Sequence, residues 1–157
     1  MIKINVVAVG KVKEKYFSEG IEEYKKRLGK FCEFNIIEIA EENYNKVDDA
    51  LILQIKEKEG DKILSSLKGY VFAMAIEGKK FSSEKFSAKL KSLTDIGQGV
   101  ITFVIGGSYG LSDRVKEKAD ELISFSDMTF PHTLFRLMLS EQIYRAFSII
   151  GGSAYHK

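Results

Sequence analysis

The segment Val100-Ile101-Thr102-Phe103-Val104-Ile105 constrains the fold more than any other stretch of the chain. It is almost wholly apolar, rich in β-branched residues, and stopped abruptly by Gly106-Gly107. A strand with one face in water alternates apolar and polar residues, whereas a run apolar on both faces is the pattern of a parallel strand covered by helices on each side. Parallel neighbours require crossover connections of about a dozen residues or more. The remaining sequence supplies them.

Strand-like runs at residues 2–9, 34–39, 70–76 and 122–125 alternate with helical periodicity at 16–28, 48–68, 82–93, 112–121 and 133–150. Asp48, Ser82 or Ser83, and Ser112 stand where N-caps belong, Gly29 stops the first helix, and Pro131 leads into the last. Gly60 interrupts the 48–68 pattern. The expected fold class is α/β, a largely parallel sheet flanked by helices with right-handed crossovers. With 157 residues, 45% of them hydrophobic and 29% charged, residues 1–157 are expected to form a single domain with a real core.

No apolar run approaches the roughly 20 residues of a membrane span, and the first residues alternate like a strand rather than forming a secretory signal. The expectation is a cytoplasmic protein with no membrane partner. Cys32 is the only cysteine, and with His132 and His156 the only histidines there is no zinc-ligand spacing; Cys32 reads as a buried small hydrophobe and no metal is expected. The net charge of +2 does not announce nucleic acid, but Lys11, Lys13, Lys15, Lys25, Lys26, Arg27 and Lys30 crowd one stretch. They read either as solvated surface or as an RNA-facing patch.

The last helix is apolar almost all round. Phe135, Met138, Leu139, Ile143, Ala146, Ile149 and Ile150 fall on one arc, while Leu134, Leu137, Tyr144 and Phe147 lie opposite, interleaved with Arg136, Ser140, Glu141 and Arg145. Two buried faces point to a homodimer contact; the alternative is a helix buried within one core.

Three segments carry chemistry. Gly106-Gly107-Ser108-Tyr109-Gly110 follows a strand and precedes a helix, where α/β sheets present loops to ligands, yet it has neither dinucleotide nor triphosphate spacing. It also fits the G-x-S-x-G nucleophile elbow of hydrolases, with Asp113, Asp120 and Asp127 and then His132 and His156 following in chain order. A plain turn is the third possibility. Residues 125–132, ending in Pro131-His132, form a second loop that could clasp an adenine or simply lead into the last helix. The final Tyr155-His156-Lys157, freed by Gly151-Gly152, could stack on a base and touch phosphate, or have no role.

Taken together, Val104-Ile105-Gly106-Gly107-Ser108-x-Gly110-Leu111, Ser124-Phe125-Ser126-x-Met128-Thr129-Phe130-Pro131-His132, Glu141-Gln142-x-Tyr144-Arg145-Ala146-Phe147 and Tyr155-His156-Lys157 closely resemble the ribosomal RNA large subunit methyltransferase H family. Ala8-Val9-Gly10-Lys11 and Lys56-Glu57-Lys58-Glu59-Gly60 match as well, so the resemblance runs along the whole chain. It implies a SPOUT domain whose C-terminal part is threaded into a trefoil knot, a feature no periodicity reveals. It also implies a homodimer that transfers a methyl group from S-adenosyl-L-methionine to N3 of a pseudouridine in helix 69 of 23S rRNA within the assembled ribosome. The cofactor contacts that it implies fall at Met74, Gly106, Phe125, Ser126, Asp127, Met128, Thr129 and Phe130. One departure is Met74-Ala75, where relatives often carry Leu followed by an acid.

Methyl transfer to an imide nitrogen needs an aligned nucleophile relieved of its proton. His156, or alternatively Glu141, is the candidate base; Arg136 or Arg145 is the candidate stabiliser of the anion, with Tyr155 beside them. A composite site is expected, with cofactor from one subunit and tail from the other. The non-enzymatic alternative is a ribosome-binding factor without chemistry, which would show no heat on titration with S-adenosylmethionine.

Overall fold

The computed structural model describes residues 1–157. Ten elements alternate in the order β1 (Lys3–Val9), α1 (Lys15–Leu28), β2 (Glu33–Ile39), α2 (Asp49–Ser66), β3 (Tyr70–Lys80), α3 (Ser83–Asp95), β4 (Val100–Ile105), α4 (Asp113–Lys118), β5 (Glu121–Ser124) and α5 (His132–Ile150). The five strands form one sheet in the order β2-β1-β4-β3-β5, and every pairing is parallel. All three expected caps form: the side chains of Asp48, Ser82 and Ser112 accept from the amides of Leu51, Lys85 and Val115.

The apolar run of β4 is explained by the two cores it separates. Ile101, Phe103 and Ile105 face a cluster closed by Leu28 of α1, Phe86, Leu90 and Leu93 of α3, and Leu139, Ile143, Ala146 and Phe147 of α5. Val104 faces the opposite layer with Val7 and Val9 of β1, Ile63 of α2 and Val115 of α4. Thr102 also lies on that buried side, where its hydroxyl donates to the Lys68 carbonyl at 2.6 Å, so its polar atom is satisfied. Cys32 belongs to the first cluster, and burial pushes its thiol up to about 12, as expected of a small hydrophobe rather than a nucleophile.

The all-round apolarity of α5 has a reason inside one subunit. α1 and α3 pack against its two flanks, and no residue of α5 is fully exposed. The approach to α1 is close because Gly20 has no side chain; a Cβ there would stand 2.8 Å from a Leu137 methyl. Of the two readings of this helix, burial within one core accounts for its pattern directly. No helix is long and apolar enough to cross a membrane.

The pairing of β3 with β5 breaks in the middle. Met74 and Lys79 are both registered with Ile123, so residues 75–78 leave the ladder and return. Gly78 permits the return, since a Cβ there would lie 2.7 Å from the Ile123 backbone. The sequence pattern ends this strand at residue 76, whereas the structure carries it to Lys80 after the detour.

Candidate active site

The carboxyl ends of β3, β4 and β5 surround a cleft of about 760 Å³. Strand ends in open α/β sheets are where ligands bind, because the connecting loops diverge there and expose backbone groups. Three segments build this one.

After β4, residues 106–110 turn back on themselves. The Gly110 amide donates to the Gly107 carbonyl at 3.0 Å, Gly110 has φ +84°, and a Cβ on Gly106 would come within 2.8 Å of the Gly110 carbonyl carbon. Only glycine fits, and bare backbone faces the cleft as a result. After Met74, the β3 detour contributes Ala75, Ile76 and Glu77. Lys116 of α4 bonds Glu77 at 2.7 Å, and that bond holds the Glu77 carboxyl below the usual carboxylate range. After β5, the loop from Ser124 folds on its own hydroxyls: Ser124 donates to the Ser126 carbonyl, and the Ser126 hydroxyl accepts from the Met128 amide, each at 3.0 Å. Phe125 is braced against Phe135 of α5 at 4.8 Å between ring centres.

Met74, Gly106, Phe125, Ser126, Met128, Thr129 and Phe130 all line this cleft. Asp127 does not; it points outward to Lys80 at 2.7 Å with its side chain 81% exposed. Sequence reasoning missed Ala75, Ile76, Glu77, Lys116, Ile123 and Phe135 as lining residues. The sequence carries no signal for the detour that brings three of them in, because the strand pattern stops at residue 76, short of Gly78.

A second constellation lies on the far part of α5. Glu141 accepts from Arg145 at 2.6 and 2.9 Å, from the Tyr155 hydroxyl at 3.2 Å and from Gln142 at 3.0 Å. Arg145 also lies over the Tyr155 ring, 4.9 Å from its centre, and meets His156 Nδ1 at 3.0 Å. An arginine can only donate, so His156 Nδ1 accepts and the ring proton sits on Nε2, which faces Glu84 at 2.8 Å. Burial, then the Tyr24 hydroxyl at 3.4 Å, raises the Tyr155 hydroxyl above its ordinary value, so Tyr155 acts as a donor. Four of the five candidate catalytic residues are thus in direct contact. None of the four lines the cleft, and Arg145 lies thirteen positions beyond His132, about 20 Å along the helix. Glu141 lines a smaller cavity of about 530 Å³ that shares Ile123, Ser124 and Phe125 with the cleft, which makes Phe125 the partition between them.

Arg136 stands apart. It is 2% exposed, donating to Glu38 at 2.6 Å and to the Gly10 carbonyl at 3.0 Å, which ties α5 to the carboxyl ends of β1 and β2.

The hydrolase alternative loses its geometry. A nucleophile elbow strains its serine on a sharp turn, yet no residue other than glycine has positive φ. Ser108 donates to Glu41 at 3.3 Å rather than to a histidine.

Similarity to known proteins agrees with this geometry. The family model described as "Predicted SPOUT methyltransferase" matches residues 2–156. Proteins named ribosomal RNA large subunit methyltransferase H from Limosilactobacillus reuteri and Streptococcus uberis are 51% and 52% identical over 159 residues, covering 99% of this chain and 100% of each relative. Among solved structures, a methylase family protein from Haemophilus influenzae aligns with TM-score 0.58 at 12% identity, over 100% of this chain and 72% of its own. A Legionella pneumophila methyltransferase solved with the cofactor SAM bound aligns at TM-score 0.51 and 12% identity, over 93% of this chain and 66% of its own. At such identity these structures speak for the fold, a SPOUT-type α/β sheet, and the sequence relatives for the family. The chain therefore belongs to the SPOUT methyltransferases, within the ribosomal RNA large subunit methyltransferase H family.

Proposed function

We propose that residues 1–157 act as one catalytic domain that uses S-adenosyl-L-methionine to methylate N3 of a pseudouridine in helix 69 of 23S rRNA, on the assembled ribosome in the cytoplasm. The observation that carries this reading is the cleft at the ends of β3, β4 and β5, whose glycine turn would be filled by a single added methyl. Its volume lies within the range of small-molecule sites. Met74, Phe125 and Phe130 offer apolar faces to an adenine, while the turn at Gly106 and the loop at residues 126–129 offer backbone groups to its polar edges. Bound there, the cofactor supplies an electrophilic methyl group on a sulfonium, whose transfer depends on alignment with the nucleophile.

The tail residues supply the rest. All of Glu141's nearest donors are engaged with it, so it holds Arg145 and Tyr155 in place rather than serving as the base. His156 Nδ1 has a lone pair already turned toward a donor; once the nucleobase replaces Arg145 there, it takes the N3 proton, and the released guanidinium stabilises the imide anion. Arg136, engaged with Glu38 and the Gly10 carbonyl, anchors α5 and takes no part in the proton transfer. Since this tail rests along its own α5, away from the cleft lining, the working unit is a homodimer in which one subunit's tail meets the other's cofactor. The half-exposed Ile76 and the 73% exposed Met128 at the cleft mouth are the surface that such a neighbour would cover. The stretch after β5 forms the trefoil knot in this reading, giving the cofactor loop its fixed shape.

The deciding experiment measures radiolabelled methyl transfer from S-adenosylmethionine to intact ribosomes and to free 23S rRNA. Incorporation at one pseudouridine in ribosomes supports the reading, and none in either substrate refutes it. Mixing a His156→Ala subunit with a cleft-blocked Gly106→Val subunit tests the shared site: heterodimers regain one intact site and part of the activity, and no recovery rejects the composite arrangement.

A further inference from the structure

The buried face of α2 contains a residue that its pattern does not explain. Ile55, Glu59 and Ile63 follow at i, i+4 and i+8 on one stripe, and Glu59, in the middle, is only 3% exposed. An acid in an apolar stripe costs free energy unless it has a polar task there. The mechanism above does not use Glu59.

What surrounds Glu59 is the cofactor turn. Its Oε2 accepts the Glu42 amide at 3.2 Å, while its Oε1 lies 3.3 Å from where a Cβ on Gly107 would stand. The neighbouring Glu41 accepts from the Ser108 hydroxyl at 3.3 Å. One helical step further, Gly60 lets α2 close onto the other end of the turn, since a Cβ there would lie 2.6 Å from the Ser112 hydroxyl. Two consecutive residues of α2 therefore back the turn: Glu59 at Gly107 and, through the 41–42 strap, at Ser108; Gly60 at the cap of α4.

We infer that Glu59 is a positioning residue for cofactor binding: its carboxyl, wedged between the Glu42 amide and Gly107, fixes where the Gly106–Gly110 backbone faces the cleft. This rests on the cofactor assignment proposed above. Removing the side chain leaves the part-buried Glu42 amide without its acceptor and opens space behind Gly107, so the turn loses its backing. The turn then samples positions from which its backbone no longer meets the ligand, and affinity falls while chemistry on bound cofactor is spared.

The test compares wild type, Glu59→Ala and Glu59→Gln in the full chain, with two readouts. Without cofactor, hydrogen exchange at the Gly110 amide, bonded to Gly107, reports the turn; with cofactor, calorimetry gives the Kd for S-adenosylmethionine. Glu59→Ala is expected to exchange about tenfold faster and bind about tenfold more weakly, the scale of one hydrogen bond removed, with kcat at saturating cofactor within about twofold. Glu59→Gln, whose amide oxygen can accept the same N–H, should stay within about threefold of wild type in both. If Glu59→Ala does not fold, the glutamine variant decides alone: values near wild type support the acceptor role, and a tenfold loss overturns it. Unchanged exchange and Kd in a folded Glu59→Ala protein also overturn the inference. Absence of any binding heat in the wild type would instead strike the cofactor assignment, leaving the exchange result to judge Glu59.

Discussion

Gly106→Ala isolates the backbone approach on which cofactor binding depends. The added Cβ would meet the Gly110 carbonyl carbon at 2.8 Å, about 0.6 Å inside ordinary van der Waals contact, with the Gly110 oxygen at 3.0 Å and Cα at 3.1 Å behind it. All three atoms are backbone, so no rotamer can yield; the turn must open. Overpacking of this kind costs roughly 1–3 kcal/mol. If the cost is met by displacing the turn, it emerges as weaker binding, and at about 1.4 kcal/mol per decade the Kd for S-adenosylmethionine rises by roughly 5- to 150-fold. If it is met by the whole fold, the midpoint of unfolding drops by about 2–4 °C per kcal/mol for a chain of this size. Calorimetric titration and thermal scanning on the same preparation separate the two. Gly99→Ala is the control, since nothing lies within 4 Å of its Cβ and its φ is ordinary. A Gly106→Ala protein that binds the cofactor with wild-type affinity would refute the claim that this turn touches the ligand.

Three further outcomes follow from the geometry. Arg136→Met removes charged hydrogen bonds to Glu38 and Gly10; at about 2 kcal/mol the melting midpoint falls by roughly 4–8 °C, and an unchanged midpoint with lowered kcat would return Arg136 to the chemistry. Burial holds the Glu59 carboxyl above the ordinary carboxylate range, so the folded state binds its proton more tightly than the unfolded chain. Stability is then full below about pH 4.3 and declines as pH rises through the raised value. Glu59→Gln lacks this decline, and its melting midpoint relative to wild type should increase between about pH 4 and pH 7; a constant difference would contradict the sign. Lys11 and Lys13 are exposed and unpaired beside Gly10, which packs near His132 at the cleft. Reversing both to Glu should flatten the log–log salt dependence of ribosome methylation by about 0.7–0.9 for each phosphate they cease to neutralise, and an unchanged slope would make them ordinary solvated surface.

Local chemistry made most of the framework readable. The run at Val100–Ile105 announced a doubly covered parallel strand, and the caps at Asp48, Ser82 and Ser112 formed as their hydroxyl and carboxylate chemistry dictates. What stayed hidden depends on partners distant in sequence. Nothing near Ala75 tells a reader that the strand will leave its ladder, because the reason is how closely Gly78 meets Ile123. Glu59 sits in a Lys-Glu-Lys-Glu run that reads as solvated, and only the fold of the 41–42 strap and Gly107 above it makes it interior. The cofactor residues came from resemblance, since a turn with three glycines and a serine fits several chemistries until the neighbours of Ser108 are known.

The slot between α1 and α3 is filled by α5, which follows every other element of that core in the chain. Leu139, Ile143, Ala146 and Phe147 complete a core whose other members begin at Ile4, so during synthesis the growing chain exposes that apolar trough until residues near 150 have left the ribosome. Packing of that face must therefore wait for α5, while the opposite core, which contains no α5 residue, can close without it.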